Sequence, residues 1–474
     1  MEDYYEFNDG KRGNPPWWAK ISVEPVMFLY MGSYMVSSVV EQAFFVHKAC
    51  MVDVGLPADV CANISAKENE EYNKRVQVVV STFHQYEGIA SHIVPMILAF
   101  YLGAWSDRVG RKLTLLLGLF GSLYYWIALI VNSLQETWPL QTVLYTATFP
   151  AALTGSSLAI FMSAISYLCD ITTPEERTVR VTLLEAAYLL TMPTGVAVGS
   201  YLFKKVLNGQ FTLMFCVSGI MMLLSIFWAI LRLQWCTNKT KQTAPISCVG
   251  TVRDTLRVVT KSRPDSYALY LRIIVFAMAV YTFQRDEKNM TYLYTILKFN
   301  WNVQTYSTFR TFQSSFFILG LLVGAPILGK MFGLRDTVIV MIGAASHCVA
   351  RVVYALASQP VVFYVGGALG ALGPIAAPVL RSIVSKLVPA SERGKAFSLL
   401  SVADTSVPIL SSTIYSQLYN ATIDFAPASI FWVTVFTQLL VFGCALAIQC
   451  IQGSRKLEQA VDPQEEVTNE QVVA

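Results

Sequence analysis

The chain has 474 residues, of which 54% are hydrophobic and only 14% charged, with a formal net charge of +4. Soluble domains carry about 25% charged residues. The deficit excludes an ordinary soluble enzyme, and a mean hydropathy of +0.49 points to repeated passage through a bilayer.

A spanning helix needs roughly 20 mostly apolar residues, because lipid offers no partner to backbone N–H and C=O groups. Segments of this kind lie at 24–46, 77–104, 113–133, 139–168, 179–203, 211–233, 267–292, 306–332, 335–357, 360–388, 395–419 and 426–452. They predict an all-α membrane protein with twelve transmembrane helices. The first exceeds the apolar core of a signal peptide, contains Glu41 and follows a mixed-charge start, so it is expected to remain as an anchor. In the seventh, YTFQRDEKN reads as charge closing the span, which puts Arg285, Asp286 and Glu287 at an outer mouth.

With both termini cytoplasmic, inside segments hold 22 of the 35 Lys and Arg, and outside segments hold 8, among them Lys48, Lys74, Arg75 and Lys288. This is the positive-inside bias. It accounts for the basic excess without nucleic acid. The polar stretch 234–266 divides the chain into a tail (1–23), a six-helix half (24–233), a cytoplasmic linker (234–266), a second half (267–452) and a tail (453–474).

A faint repeat links the halves. TPEERTVRVTLLEAA follows helix four and VPASERGKAFSLLSVAD follows helix ten; superposing their Glu-Arg pairs places Leu183-Leu184 on Leu399-Leu400. Such duplication is a transporter trait. Glu185 then lies nine residues beyond Glu176 and Asp404 twelve beyond Glu392. The difference is close to one helical turn, so the two acids project from similar faces of helices five and eleven.

Ionisable groups inside a bilayer are costly and need an aqueous or partnered location. Glu185 is the leading proton-coupling candidate, against a fixed salt bridge. Asp404 is a second, weighed equally against a structural bond. Arg381 cannot carry the proton. Its fork suits a substrate carboxylate or phosphate, or a permanent pair with Asp404 or Glu185. Glu41 and Arg351 read as interhelical partners, and Glu87 with His92 as a polar lining ahead of a proton relay. Tyr281 reads either as an interfacial aromatic or as a substrate contact.

Cys50 and Cys61 share the first outside loop, and a disulfide between them stands level with two free thiols. Asn63 in the same loop, within NIS, is a glycan acceptor candidate. Four dispersed histidines have no metal-ligand spacing, and the glycines at 365–373 read as helix packing, so no cofactor or metal is expected.

The stretch LGAWSDRVGRK sets four charges between apolar runs. A positive-inside tip accounts for Arg108 and Lys112, but not for the spacing of Gly103, Asp107, Gly110 and Arg111. That spacing resembles the signature between helices two and three of the major facilitator superfamily. Together with RTVRVTLLEAA, PVLRSIVSKLVPASERGKAFSLLS and SQLYNATIDF, the wording resembles the solute carrier 46 family.

The resemblance implies two six-helix bundles rocking around a central site. It further implies proton-coupled symport of an organic anion such as a folate, muropeptide or cyclic dinucleotide. It assigns proton coupling to Glu185, substrate and proton handling to Arg381, and substrate binding to Asp286. Asp107 and Arg111 would form a conformational gate with Gly103 and Gly110, matched in the second half by Glu392 and Arg393. Thr148, Ser156, Tyr281 and Asp404 replace an arginine, an aspartate, a histidine and an asparagine of folate-transporting members. Ser156 and Tyr281 thereby become substrate-contact candidates, and folate itself is an uncertain cargo. The family cysteine that would pair with Cys61 is replaced by Asn300. The rival expectation is a transport-inactive receptor or scaffold retaining the fold; no nucleophile–base constellation supports an enzyme. The expected partners are a small solute, protons and lipid, with the chain a monomer in the plasma membrane and the endolysosomal membrane as the alternative.

Overall fold

The computed structural model describes residues 21–172, 174–235, 266–388 and 393–453. Both tails, most of the linker and Glu392 lie outside the described residues, and Gly103, Asp107 and Arg393 are described as helix backbone alone.

The apolar runs form twelve long helical stretches among the described residues. These are α1 (Glu24–Lys48), α2 (Glu70–Val109), α3 (Arg111–Leu134), α4 (Leu144–Ile171), α5 (Pro174–Leu189, running on as Thr191–Tyr201), α6 (Phe211–Arg232), α7 (Tyr267–Phe299), α8 (Val303–Gly329), α9 (Asp336–Leu356), α10 (Pro360–Leu387), α11 (Arg393–Thr422) and α12 (Ser429–Gln452). Nine are long and apolar enough to cross a bilayer by composition; α1, α2 and α11 are not among them. Glu41 in α1, Glu87 and His92 in α2, and Asp404 with a run of Ser and Thr in α11 lower the hydropathy of these three. Their polar faces are turned toward protein, as shown below.

Packing follows one rule applied twice. In the first half α1 packs on α5 and α6, and α3 packs on α4 and α6; in the second half α7 packs on α11 and α12, and α9 packs on α10 and α12. A step of six helices maps one set onto the other. The halves meet through α2 on α11 and α5 on α8.

Three boundaries differ from the sequence expectation for physical reasons. Helix α2 begins at Glu70 because Glu70–Lys74 (3.2 Å) and Glu71–Arg75 (2.9 Å) form i,i+4 pairs that support turns outside the apolar run. Helix α4 is interrupted at Gly155, whose φ of +80° is left-handed. Helix α7 does not end at the charged FQRDEK stretch: it tightens to a 3₁₀ turn at Phe283–Asp286 and resumes as Glu287–Phe299. The charges of that stretch therefore lie within the span, and the outer-mouth placement of Arg285, Asp286 and Glu287 is corrected.

At their outer ends the halves are closed by a polar seam between α2 and α11. Ser81 and Ser416 share a hydroxyl hydrogen bond of 2.9 Å. The Tyr419 hydroxyl donates to Gln77 at 2.6 Å, Gln417 donates to Gln85 at 2.6 Å, and Asn420 donates to Thr82 at 3.1 Å. A Cβ on Gly88 would stand 2.4 Å from the Ser412 side chain, so the helices touch there at glycine distance.

Candidate functional site

The centre of the molecule is built around the α7 break. Asp404 of α11 accepts from the Thr282 hydroxyl at 2.7 Å and from Arg381 of α10 at 2.9 Å, while Arg285 stands 3.5 Å away. Three helices of the second half are thus tied through one carboxylate. Arg381 keeps 45% of its side chain accessible, so its pairing leaves guanidinium surface uncovered. Glu185 of α5, in the other half, lies within the electrostatic reach of Arg381 and makes no ion pair with it. The arrangement brings together Glu185, Arg381 and Asp404 across the gap between halves.

The remaining candidates fall around this group. Asp286 accepts from the Ser411 hydroxyl and is an electrostatic neighbour of His92. Ser156 begins the second part of α4 and interacts with the Tyr34 hydroxyl. Tyr281 is 7% exposed and its hydroxyl reaches the Gly373 carbonyl at 3.4 Å, so its ring is part of the second half's core. Packing between α7 and α10 holds it there.

Glu287 lies behind the site. It is 4% exposed and receives Arg351 Nε at 3.1 Å; Arg351 also meets His347 at 2.9 Å, and Thr434 donates to the same carboxylate. This buried pair joins α7, α9 and α12. The expectation that Arg351 is an interhelical partner holds, with Glu287 as the partner. Glu41 likewise accepts from Tyr125 of α3. Glu87 and His92 do not act as one lining: Glu87 faces His84 at 2.8 Å, and His92 meets the Gly88 carbonyl at 2.9 Å.

At the cytoplasmic end, Gly110 joins α2 to α3 in a single residue, with φ +107°. A Cβ there would also stand 2.7 Å from the Trp235 carbonyl oxygen, so both backbone angle and space call for glycine. Arg111 pairs with Asp170 of α4 at 3.2 Å and donates to Ser106 at 3.2 Å. Lys112 is not a solvated tip. It is 1% exposed, donates to the Ile230 and Leu233 carbonyls at 2.7 Å each, and lies 4.0 Å from the Trp235 ring centroid. It caps the C-terminus of α6, where unsatisfied carbonyls and the helix dipole favour a cation. Lys48 does the same for α3 at the outer end, donating to Asn132 at 2.8 Å and Gln135 at 2.9 Å. Neither cap was legible in the sequence, because the carbonyls belong to helices distant along the chain.

In the first outer loop Cys50 and Cys61 form a disulfide, with Cα atoms 5.8 Å apart. Asn63 beside it is exposed. Asp53 of this loop accepts from the Leu140 N–H at 2.9 Å, and burial pushes its carboxyl above the usual range.

Among the described residues, twelve helical stretches in two repeated sets, with charged groups gathered where the sets meet, form an architecture suited to moving a solute across a membrane. The Major Facilitator Superfamily model matches residues 88–309. A probable peptidoglycan muropeptide transporter, SLC46, of Drosophila melanogaster is 24% identical over 434 residues, covering 85% of this chain and 81% of that one. A lysosomal proton-coupled steroid conjugate and bile acid symporter, SLC46A3, of Gallus gallus is 24% identical over 445 residues, covering 90% and 94%. Among solved structures, the human organic anion transporter MFSD10 superposes with a TM-score of 0.64 at 13% identity, covering 91% of this chain and all of that one. The chain is thus similar to the major facilitator superfamily and, among its members, to the solute carrier 46 family.

Proposed function

We propose that the protein is a proton-coupled symporter of an organic anion that works by alternating access, with Glu185 as its proton-carrying group. The observation that carries this reading is the asymmetry of the central acids. Asp404 is held by Arg381, Arg285 and Thr282. Glu185 faces the same arginine from the opposite half without an ion pair. A carboxylate that can be protonated without breaking a bond within its own half is suited to exchange its proton as the halves move. When Glu185 is ionised it attracts Arg381 across the gap; when protonated it releases that attraction. Arg381 retains accessible guanidinium surface for an anionic cargo.

The closed outer seam gives the present conformation an inward-facing sense, with Arg111 and Asp107 at the opposite end as the cytoplasmic gate. By the sequence repeat, Glu392 and Arg393 are the corresponding pair of the second half. A muropeptide, folate or cyclic dinucleotide supplies the anionic charge, and similarity to a muropeptide transporter and to a steroid conjugate and bile acid symporter favours the first of these classes together with bile-acid-like anions. Exposed Asn63 is the expected glycan site, and the plasma or endolysosomal membrane the expected location.

The test is uptake of a radiolabelled muramyl dipeptide into proteoliposomes at outer pH of about 5.5 and about 7.4, roughly one and three units above the ordinary glutamate pKa. Wild-type uptake rises at the acidic pH. Glu185→Gln loses that rise while keeping exchange of preloaded cargo. Uptake indifferent to the gradient, or unchanged in the variant, sinks the proton coupling.

A further inference from the structure

At the outer face the two halves enclose a cavity of about 420 Å³. The first half supplies one wall through Lys67 and, from the first turns of α2, Glu70, Asn73 and Lys74. The second half supplies the other through Lys298 at the end of α7 and Asp424 after α11. Residues 70, 73 and 74 are spaced i, i+3, i+4, so one face of α2 looks onto the cavity. The volume is that of a small-molecule site. Glu70 and Asp424 keep 59% and 80% of their side chains accessible, and charges this exposed place the mouth of the cavity in water.

The charges of the cavity are unevenly partnered. Lys74 stands 3.2 Å from Glu70 and 3.7 Å from Asp424, so a single ammonium serves both carboxylates and spans the two halves. Lys67 and Lys298, one on each wall, have no ion pair or side-chain hydrogen bond among the described residues. Asn73, by contrast, is only 2% exposed. The Tyr419 hydroxyl donates to Gln77 at 2.6 Å, and Gln77 donates in turn to the Asn73 side-chain oxygen at 2.9 Å. This relay turns the oxygen of Asn73 toward Gln77. Its amide nitrogen has no acceptor among the described residues, and a buried donor is unfavourable until an acceptor arrives. The first turn of α2 adds the positive end of a helix dipole.

We propose that this cavity binds a small soluble oxyanion of at least two negative charges, such as a phosphate, and that the bound anion holds the outer end shut. Lys67 and Lys74 reach it from the first half, Lys298 reaches it from the second, and Asn73 donates to it from within. Because both halves contribute, the anion is held when the outer end is closed and loses part of its contacts when the halves separate. A ligand with that difference in affinity shifts the population toward the outer-closed state. The neutral seam between α2 and α11 thereby gains a clamp whose strength follows the concentration of external anion. The inference adds a control to the transport reading and holds for any cargo.

The test uses the purified full chain with inorganic pyrophosphate as the probe. Pyrophosphate is expected to raise the melting temperature. In protein carrying Ser81→Cys and Ser416→Cys, it is expected to speed cross-linking by a metal-free oxidant several-fold. Lys298→Gln raises the pyrophosphate concentration needed for half of either effect by about fivefold or more, the order expected for one charged contact. Lys67→Gln gives the same readout should Lys298→Gln fail to fold. Lys205→Gln, exposed on a different outer loop, responds as its parent does. Pyrophosphate that alters neither melting nor cross-linking, or that acts undiminished on Lys298→Gln and Lys67→Gln, overturns the site. A raised melting temperature with slowed cross-linking overturns the clamp. Neither readout needs cargo, so uptake indifferent to the pH gradient sinks the symport reading alone.

Discussion

Lys112 and Lys48 show how one residue type acquires two roles. By position both count toward topology, one inside and one outside. In the structure each is drawn into the protein to satisfy the last carbonyls of a helix, α6 for Lys112 and α3 for Lys48. Removing the ammonium of Lys112 leaves two buried acceptors unpaired, which costs about 1–3 kcal/mol each way such a group is stranded. Lys112→Met is therefore expected to lower the melting temperature of the solubilised protein, while Arg232→Met, at an exposed position on α6, leaves it unchanged. Equal melting of wild type and Lys112→Met would remove the capping role. Nothing in GRK announces this role, since a cap is recognised only when the chain end it serves is beside it. Gly110 is a different case: a glycine between two charged helix ends is legible as a turn, and its φ of +107° bears that out.

Among the elements, α7 was the hardest to read and α2 with α11 the most informative. Hydropathy falls across FQRDEKN because it scores each charge as if it faced lipid. Glu287 is instead neutralised by Arg351 and accepts from the Thr434 hydroxyl, and Asp286 accepts from Ser411, so the helix continues through the bilayer with its charges inside the protein. The same logic explains why α2 and α11 are polar along one side. Their Ser, Thr, Gln and Asn side chains bond to each other across the seam, where they replace water that lipid cannot provide. An outer gate made of neutral hydrogen bonds is one that can part without stranding a charge. A Ser81→Cys and Ser416→Cys pair, whose parent hydroxyls are 2.9 Å apart, is expected to cross-link on oxidation. Transport should stop with the bond formed and return with reductant; full uptake by the cross-linked protein would show that this seam does not open.

The whole molecule is a duplicated six-helix unit, and much of that was legible. The apolar runs mark the spans, and the bias of Lys and Arg sets the side expected to face the cytoplasm. The ER-type repeat links helices four and ten. What sequence could not supply is the meeting of residues from different halves. Glu185 and Arg381 are 196 positions apart, Asp404 holds Arg381 through a contact that only packing creates, and Lys288 reads as a loop charge until α7 is seen to pass through the break. Cys50 and Cys61 were close enough in sequence to be considered together, yet the choice between a bond and free thiols needed the loop's geometry.

The central claim, that cargo and protons cross together through Glu185, is tested most directly by recording proton movement itself. Proteoliposomes loaded with a pH-sensitive dye and given muramyl dipeptide outside, with no imposed pH gradient, should acidify inside as the peptide enters. Glu185→Gln should still exchange peptide but produce no acidification. Peptide entry without a proton signal in the wild-type protein, or an undiminished signal in the variant, would contradict it.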